Sequence, residues 1–402
     1  MHSRPIILLI LICLPVCAWT QDSLLLSQLM ENSYSIAVAN GKISGSGQNM
    51  LQEAIAESQF VLIGEQHGIR EVGAFTHGVW TMAHPEGYRY MVLETDPFVT
   101  PVLSGLLEDG IDALAKFEQE FPFSIPFYNN QDDFAFLAAA NQQGSLWGLD
   151  QVFVVGARRI FAKLHDQAKK PTVKSMMADY LKRANEGFQA AFSTGQFDKI
   201  ILNNLQEADF DRIKDAFPDE ESVALLNGLE ATQRIYNHYF QGRYYANNAE
   251  RGQLMKQNFM NYYVPASQKG EVKAVLKFGQ NHMGRGLTPT NIFDIGNTVS
   301  ELAEMNGSRS LHIAFEGIEG QSFNALEGGA RPFSDLDNKP EAIQKLWERK
   351  KVDWKEGEFL VIDMRSLRNL AWKKRDLQLK ALVFNYDLLV LVPEAHAVRP
   401  LD

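Results

Sequence analysis

The sequence contains almost no cysteine. Only two of its 402 residues are cysteines, and both, Cys13 and Cys17, lie close to the start of the chain. If that segment is removed on export, the mature chain contains no thiol. Disulfide bonds, thiolate metal sites and cysteine nucleophiles are then excluded, and the packed core alone must stabilise the protein.

Motifs that would identify several common enzyme classes are also missing. The chain has no Gly-x-Ser-x-Gly, which argues against a serine hydrolase of the α/β-hydrolase type. It has no phosphate-binding loop, no good dinucleotide fingerprint and no His-Glu-x-x-His. Its net charge of −10 disfavours nucleic acid and anionic membranes as partners. A small-molecule substrate is the expectation that is left.

Residues 1–20 have the pattern of a secretory signal peptide. Arg4 supplies the positive start, and the apolar stretch that follows is too short to cross about 30 Å of hydrocarbon as a helix. Small residues predict cleavage after Ala18, or alternatively after Thr20. A lipidated Cys17 is a less favoured alternative. No other segment resembles a membrane span, so we expect a periplasmic or secreted protein.

The first part of the chain alternates between helical and strand patterns. Helical spacing over 49–58, with Asn49 as the N-cap, is followed by an apolar strand at 60–63. A helix at 70–83 and a strand at 90–93 repeat this order. The alternation predicts an α/β fold, with a mostly parallel or mixed central sheet flanked by helices.

The middle of the chain changes character. Residues 155–263 are charged and helical in period, and they predict a large all-helical insertion packed over the functional end of the sheet. The insertion divides the α/β core into a first part at 21–154 and a second part at 264–402. We also predict a turn or short hairpin at 41–48, a helix at 132–142, strands at 146–149, 273–278, 311–315, 359–362 and 381–392, a helix at 288–305 with Pro289 near its start, and surface loops at 121–128 and 317–337.

Several apolar runs end in side chains that carry acid–base chemistry. The first core strand ends in Gly-Glu-Gln-His-Gly, which places Glu65 and His67 two residues apart. Later runs end in Glu94, in Asp150 and in His282. Because ligands bind at the carboxyl ends of strands in open α/β sheets, we expect these side chains to line one active site.

Glu65 and His67 form the central pair of this prediction. A carboxylate beside an imidazole is the usual general-base unit, in which the carboxylate sets the tautomer and orientation of the ring. The alternative is that Glu65 caps the next helix and His67 lies in an exposed loop. Glu94 and Asp150 have a similar alternative, since a carboxylate at a strand end often caps a helix or forms a buried ion pair.

Two further segments contribute candidate ligand contacts. His282 lies in Gln-Asn-His-Met-Gly-Arg-Gly, where Asn281 and Arg285 flank it and glycines permit close approach to a ligand. Helical spacing places Arg251 and Asn258 on one helix face, from which Arg251 can pair with a strand-end carboxylate or clamp a substrate. Among the remaining histidines, His77 on the helix after the first motif is a weaker candidate.

These motifs resemble the erythromycin esterase-like and ChaN-like superfamily, which also includes the Tiki proteases. The resemblance rests on Gly-Glu-x-His-Gly, the strand that ends in Glu94, Arg251-x-x-x-Met-x-x-Asn258 and the strand end at Asn281-His282. It runs from about residue 50 to residue 315. It implies a mixed α/β sheet with helices on both sides and a helical insertion.

The resemblance also implies roles for the site residues. In the esterase branch the histidine of the first motif activates a water molecule that opens a macrolactone, which makes His67 the candidate base. Glu65 and Glu94 would orient the imidazole or stabilise its charge, and His282 and Arg251 would stabilise the oxyanion. Neither a protein nucleophile nor a metal would be required. The expected substrate contacts are Asn281, Asp150, Arg285, Asn258 and His77.

The first hypothesis is therefore an exported hydrolase of an ester, lactone or related acyl bond. Two alternatives use the same residues. Glu65, His67, Glu94 and His282 would be an acceptable ligand set for Zn or Mn in a metal-dependent hydrolase. In a binding protein for haem or another apolar ligand, His67 or His282 would be the axial ligand.

Overall fold

A single mixed sheet forms the centre of the protein. The computed structural model describes residues 23–324, 329–372 and 376–401. In this part of the chain the sheet has ten strands, in the order β2-β1-β9-β10-β7-β3-β6-β4-β5, with β8 paired to β7. The strands are β1 (Ser33–Ala39), β2 (Lys42–Ser44), β3 (Phe60–Glu65), β4 (Tyr90–Leu93), β5 (Ser145–Gly148), β6 (Ala274–Gly279), β7 (Ser310–Asn324), β8 (Gly329–Ser334), β9 (Glu358–Asp363) and β10 (Leu388–Ala395).

The central strands are parallel and the edges are antiparallel. All pairings from β10 through β7, β3, β6 and β4 to β5 are parallel, whereas β1, β2, β9 and β8 pair antiparallel with their neighbours. The predicted α/β class with a mixed sheet flanked by helices is confirmed. The helices are α1 (Gln48–Ala56), α2 (Glu71–Ala83), α3 (Thr100–Asp109), α4 (Ile111–Glu120), α5 (Phe134–Gln143), α6 (Ala157–Gln167), α7 (Pro171–Thr194), α8 (Glu207–Ala216), α9 (Glu220–Phe240), α10 (Tyr244–Ser267), α11 (Gln280–Met283), α12 (Ile295–Met305), α13 (Glu341–Lys350) and α14 (Leu377–Asn385).

The central strands are apolar on both faces because helices cover both. In β3, Val61 and Ile63 pack into one core with helices α2 and α5, whereas Phe60 and Leu62 pack into a second core with α10, α12 and α14. Successive strand residues point to opposite faces, so an uninterrupted apolar run is the pattern of a strand that is buried twice.

The chain between β5 and β6 consists of the helices α6 to α10. Most of their buried side chains form a third core of their own, which includes Phe161, Tyr180 and Leu226. Helix α10 is different, because its Met255 and Phe259 pack against the sheet. It therefore joins the helical segment to the strand ends. In the described part of the chain, no helix is both long and apolar enough to cross a membrane.

Two helix starts differ from the prediction. The N-cap of α1 is Gly47 rather than Asn49, which lies inside the first turn. The helix predicted at 288–305 begins only at Ile295, where Asp294 caps it by accepting a hydrogen bond from the Ile295 amide. The preceding residues form a turn in which the Thr288 amide bonds the carbonyl of Ile292. Proline is compatible with a turn as well as with a helix start, so Pro289 does not show where the helix begins.

Two predictions for the second part of the core were also wrong. Within the surface loop expected at 317–337, residues 317–324 belong to the long end of β7 and residues 329–334 to the strand β8, and the two strands pair antiparallel. Residues 325–328 lie outside the described residues. The glycines and serines of the two strands conceal the alternation of a strand. The strand expected at 381–392 combines the end of α14 with β10. Both elements are apolar, so the run itself does not show where the helix ends.

The extension of β7 requires glycine at position 320. Gly320 has a φ of +129°, and a Cβ atom there would lie 2.0 Å from the carbonyl oxygen of Ala395 in β10. A side chain at this position would therefore strain the backbone and separate the two paired strands.

We predict that Gly320→Ala lowers the free energy of unfolding by about 2–4 kcal/mol, measured by urea denaturation. Gly105→Ala is the matched control, since Gly105 lies in α3 with open space around it. That variant should be neutral or stabilising by about 0.5–1 kcal/mol, because alanine restricts the unfolded chain. Equal unfolding midpoints for the two variants would contradict the strain at residue 320.

Candidate functional site

Strand register brings the predicted site together. Glu65, the last residue of β3, pairs with Gly279, the last residue of β6. Leu93 of β4 pairs with Lys277 on the other side of β6, so Glu94 follows directly beside the same strand end. The carboxyl ends of three parallel strands thus deliver their side chains to one cleft. Glu65, His67, Glu94, Arg251, Asn281 and His282 all line it.

His67 is the most exposed member of the charged group at these strand ends. Its Nδ1 lies 2.9 Å from Oε1 of Glu65, and its ring stacks on Phe127 with 4.1 Å between the ring centres. The side chain is 38% exposed and faces the cleft. Because an ionised Glu65 can only accept, Nδ1 carries the proton and Nε2 presents a lone pair.

The position of Nε2 depends on a glycine in the neighbouring strand. A Cβ atom on residue 279 would lie 2.6 Å from Nε2 of His67. Gly279 also donates its backbone N–H to Oε2 of Glu94 at 2.6 Å. One small residue therefore makes room for the imidazole and orients the second carboxylate.

A buried lysine forms an ion pair with the carboxylate of Glu65 on the side away from His67. Nζ of Lys277 lies 2.7 Å from Oε2 of Glu65 and 3.6 Å from Oδ2 of Asp133. Burial raises the pKa of Glu65, but the charge of Lys277 and the hydrogen bond with His67 lower it more strongly. Glu65 is consequently ionised at neutral pH and holds the His67 ring in one orientation.

Glu94 lies at the centre of the cluster. Its Oε1 accepts a hydrogen bond from Arg251 at 2.8 Å and lies 3.4 Å from Nε2 of His282. Its Oε2 lies 3.8 Å from Nε2 of His67. Burial raises the pKa of Glu94, but the two imidazoles, Arg251 and the Gly279 amide outweigh that effect and lower the pKa to about 2. Glu94 is therefore a permanent negative charge between two histidines.

Arg251 is oriented by residues behind the cleft. Asp150 accepts two hydrogen bonds from its guanidinium, at 2.9 Å and 2.6 Å. Asn258, two turns further along α10, donates to the carbonyl of Leu149 at 2.7 Å and ties the helix to the end of β5. Neither Asp150 nor Asn258 lines the cleft, so the expected substrate contact is replaced by a role in positioning Arg251.

His282 is held on the opposite side of Glu94. Its Nδ1 lies 2.7 Å from Oδ2 of Asp294, the residue that also caps α12. This contact leaves Nε2 directed at Glu94. The adjacent Asn281 is exposed and lines the cleft, where it can contact a ligand.

Two predicted contacts lie elsewhere. Arg285 donates to Asp387 and to the backbone of Ser310, the first residue of β7, so its guanidinium reaches toward the opposite end of the strands. His77 packs on Gly41 in the hairpin between β1 and β2. The structure corrects the expectation of substrate contact for both residues. Glycines next to Arg285 allow close approach to a ligand, but they also allow the chain to turn away.

Several residues of the site were not foreseen. Lys277 stands in an apolar strand, where a lysine normally points to solvent, and Asp294 looks like an ordinary N-cap. Part of the cleft wall is an ion-paired group in which Nζ of Lys339 lies 2.6 Å from Asp335 and also contacts Glu316. Gln280 donates to the same Glu316 at 2.5 Å. Lys339 and Asp335 are four residues apart, but the contacts of Lys339 and Gln280 with Glu316 join distant segments, so spacing along the chain carries no signal of them.

The four residues considered as metal ligands do not fit a metal in this arrangement. In the described ranges, no group of three or more His, Cys, Asp and Glu side chains is placed to hold an ion. The oxygens of Glu65 face Lys277 and His67, and those of Glu94 face Arg251 and the Gly279 amide. Zn or Mn would have to displace these donors, so we assign no step to a metal.

Of the two histidines considered as axial ligands of haem, His282 is not suitably oriented. An axial ligand needs an imidazole nitrogen that can approach the iron. His282 uses Nδ1 for Asp294 and directs Nε2 at Glu94. His67 uses Nδ1 for Glu65 and presents Nε2 to the cleft 3.8 Å from Glu94, with Phe127 over one face of the ring. Both histidines are thus oriented by carboxylates in a polar cluster.

Solved structures of other proteins have the same fold. A variant of erythromycin esterase EreC in its open conformation has a TM-score of 0.59 and 14% identity, and the match covers 92% of this chain and 99% of that chain. A protein from Bacillus cereus has a TM-score of 0.58 and 13% identity, with 94% and 99% covered. A succinoglycan biosynthesis protein has a TM-score of 0.56 and 14% identity, with 94% and 99% covered.

No protein-family model and no curated protein sequence matches this chain. The structural matches have low identity, and they show the fold alone. The erythromycin esterase-like fold implied by the sequence motifs is thereby confirmed.

The environment of His67 makes a prediction for its titration. Burial lowers the pKa of His67, but the hydrogen bond with Glu65 and the charges of Glu94 and Glu65 outweigh burial and raise the pKa above its ordinary value. His77 has no such partners, and burial lowers its pKa. We therefore expect His67 to titrate above about pH 6.5 and His77 below it in an NMR titration.

The signals are assigned with His67→Gln and His77→Gln, each of which removes one resonance. The two histidines control for each other, because they share the same protein, temperature and salt. A His67 that titrates at or below the pH of His77 would show that the carboxylates do not act on it as described.

Proposed function

We propose that this protein is an exported hydrolase that cleaves an ester, lactone or related acyl bond with a water molecule activated by His67. The observation that carries the proposal is the orientation of the imidazole. Nδ1 is held by Glu65, which is ionised through Lys277, and Nε2 is presented to a cleft of about 730 Å³. A pocket of that volume suits a small-molecule substrate.

In the first step, Nε2 of His67 removes a proton from water while the water oxygen attacks the acyl carbon. The imidazolium that forms donates through Nδ1 to Glu65 and lies close to Glu94, so both carboxylates stabilise it. The negative charge moves to the former carbonyl oxygen. Arg251 lines the same cleft and is the group that would stabilise this oxyanion. His282 directs its two ring nitrogens at Asp294 and Glu94 and holds the carboxylate beside Arg251.

In the second step, the tetrahedral intermediate collapses and the bond between the acyl carbon and the leaving oxygen breaks. The His67 imidazolium returns its proton to the leaving oxygen, so the products are a carboxylic acid and an alcohol. The enzyme is regenerated with His67 neutral. No side chain forms a covalent bond with the substrate in this sequence of steps.

Replacement of the base should remove most of the activity. His67→Ala is expected to lower kcat about 100- to 10,000-fold on an ester or lactone that the protein hydrolyses. His165→Ala is the matched control, because His165 lies in α6 beside the exposed Asp166, outside the cleft. Initial rates of the purified variants are the measurement. Full activity in His67→Ala would rule out the proposed role.

The same mechanism predicts the acid side of the pH profile. His67 must be neutral to act as a base, so kcat/KM should fall as the pH drops through its raised pKa. Glu65→Gln removes the negative charge next to Nδ1 of His67, which should move this fall to lower pH. Circular dichroism checks that the variant is folded. An acid limb at the same pH in both proteins would contradict coupling between Glu65 and His67.

Export is a separate part of the proposal. Its support is the signal-like pattern of residues 1–20, a segment that lies outside the described residues. Expression of the full chain with N-terminal sequencing of the product tests it. A mature protein that begins after Ala18 or Thr20 supports export, and a product that retains the segment contradicts it.

A further inference from the structure

The imidazole of His67 lies between two different cavities. The first is the cleft of about 730 Å³ described above, and the second has a volume of about 350 Å³. Glu65, His67 and Phe127 line both. Both volumes are in the range of small-molecule pockets. A substrate whose reacting carbon lies at His67 can therefore extend in two directions.

The second cavity, which we call the apolar compartment, is lined mainly by aromatic and aliphatic side chains. Its walls come from the loop before α5, the start of α2, the segment before α6 and the end of β7, with Phe123, Pro126, Phe127, Phe153, Val72 and Phe323 as the main apolar members. Asp133 is among its polar groups, but it is bonded to Asn130 at 2.9 Å and lies close to Lys277. The compartment thus suits an apolar group, whose burial there is favourable.

The aromatic wall is held in an unusual backbone conformation. Phe123 and Phe127 have φ values of +63° and +67°, which are rare for aromatic residues and persist only where the surroundings enforce them. The hydroxyl of Tyr128 donates to the carbonyl of Lys277 at 2.6 Å and accepts from the amide of Glu94 at 3.0 Å. The loop is therefore bonded directly to the two strand ends of the site.

The larger cavity, the polar compartment, has a different lining. It presents the group of Gln280, Glu316, Asp335 and Lys339, together with Asn385. Its charged and amide side chains offer both donors and acceptors in fixed positions. Such a wall suits a group with several hydroxyl or amide functions, because each can exchange hydrogen bonds with water for hydrogen bonds with the protein.

We infer that the substrate is amphiphilic: its scissile bond joins a compact apolar group, seated in the apolar compartment, to a larger polar group in the polar compartment. This inference rests on the proposed function. In the reaction, water adds to the acyl carbon and the leaving oxygen takes the proton from His67. One product is apolar and the other is polar, and each leaves from its own side of the imidazole.

Two mirrored series of esters test the inference. One series consists of glycerol monoesters of linear acids from acetate to octanoate, and the other of alkyl esters of glyceric acid with matching chains. In one series kcat/KM should rise about fourfold for each added methylene until the apolar compartment is full. Equal values of kcat/KM along both series would overturn the inference, but the proposal that the protein is a hydrolase would still stand.

A pair of variants locates the effect in the apolar compartment. Ser322 of β7 lines the compartment, whereas its neighbour Gln321 is exposed and does not line it. Ser322→Trp should fill the space and abolish the preference for long chains. Gln321→Trp should keep the wild-type preference. A preference that survives in Ser322→Trp would overturn the assignment.

A second pair examines the polar compartment. Ala381 of α14 lines it, and the neighbouring Lys380 does not. Ala381→Trp should weaken discrimination between glycerol esters and methyl esters of the same acid, without loss of the chain-length preference. Lys380→Trp is the control and should behave as wild type. Loss of chain-length preference in Ala381→Trp would show that the two compartments do not bind separate parts of the substrate.

Binding experiments separate this inference from the proposed function. Ketones in which a methylene replaces the ester oxygen cannot be hydrolysed, and their affinity is measured by calorimetry on wild type and Ser322→Trp. If no ester is turned over but affinity grows with chain length in wild type alone, the hydrolase proposal fails and the amphiphilic site stands. Affinity that does not depend on chain length in wild type would overturn the amphiphilic site.

Discussion

The buried contact between Lys277 and Glu65 is the interaction on which the rest of the site depends. Both side chains are removed from water at the centre of the sheet, where neither charge would be stable alone. Together they keep a carboxylate ionised beneath His67. Buried ion pairs contribute little net stability, and removal of one partner costs about 3–5 kcal/mol. The ion pair of Lys277 and Glu65 is therefore better explained by its effect on the His67 imidazole than by a contribution to stability.

The charges around this contact alternate in sign. Lys277 neutralises Glu65, Glu65 holds His67, and His67 lies beside Glu94, whose other oxygen binds Arg251. Each positive or potentially positive group thus has a carboxylate next to it. This alternation allows His67 to gain and lose a proton without leaving an isolated buried charge. Arg251 comes from the helical segment, so the chain between β5 and β6 completes a site that the sheet begins.

Much of this site could be predicted from the sequence, because parallel strands place their carboxyl ends at one edge of a sheet. That rule alone predicts that Glu65, Glu94 and His282 lie together. The strand register agrees, because β3 and β4 both pair with β6 and their carboxyl ends lie side by side. Lys277 could not be predicted in the same way. The charge of Lys277 is stable in a buried strand because two carboxylates lie next to it. Both of them, Glu65 and Asp133, come from other elements.

The errors in the fold have a similar cause. The antiparallel strands β7 and β8 contain several glycines and serines, and the pairing of β7 with β10 depends on a close approach between Gly320 and Ala395 that no local pattern reveals. Arg285 follows a strand end, but its guanidinium is drawn toward Asp387 at the other end of the strands. In each case a partner distant in sequence decided the outcome. Local propensity is a weak guide where tertiary contacts dominate.

The most direct test of the central claim is a single turnover in ¹⁸O-labelled water with enzyme in excess over an ester substrate, followed by mass spectrometry of the products and the protein. If His67 delivers water directly to the acyl carbon, the acid formed in the first turnover contains one labelled oxygen and the alcohol and the protein contain none. An unlabelled acid with label incorporated into a side chain such as Glu94 would show a covalent intermediate, and would contradict activation of water by His67.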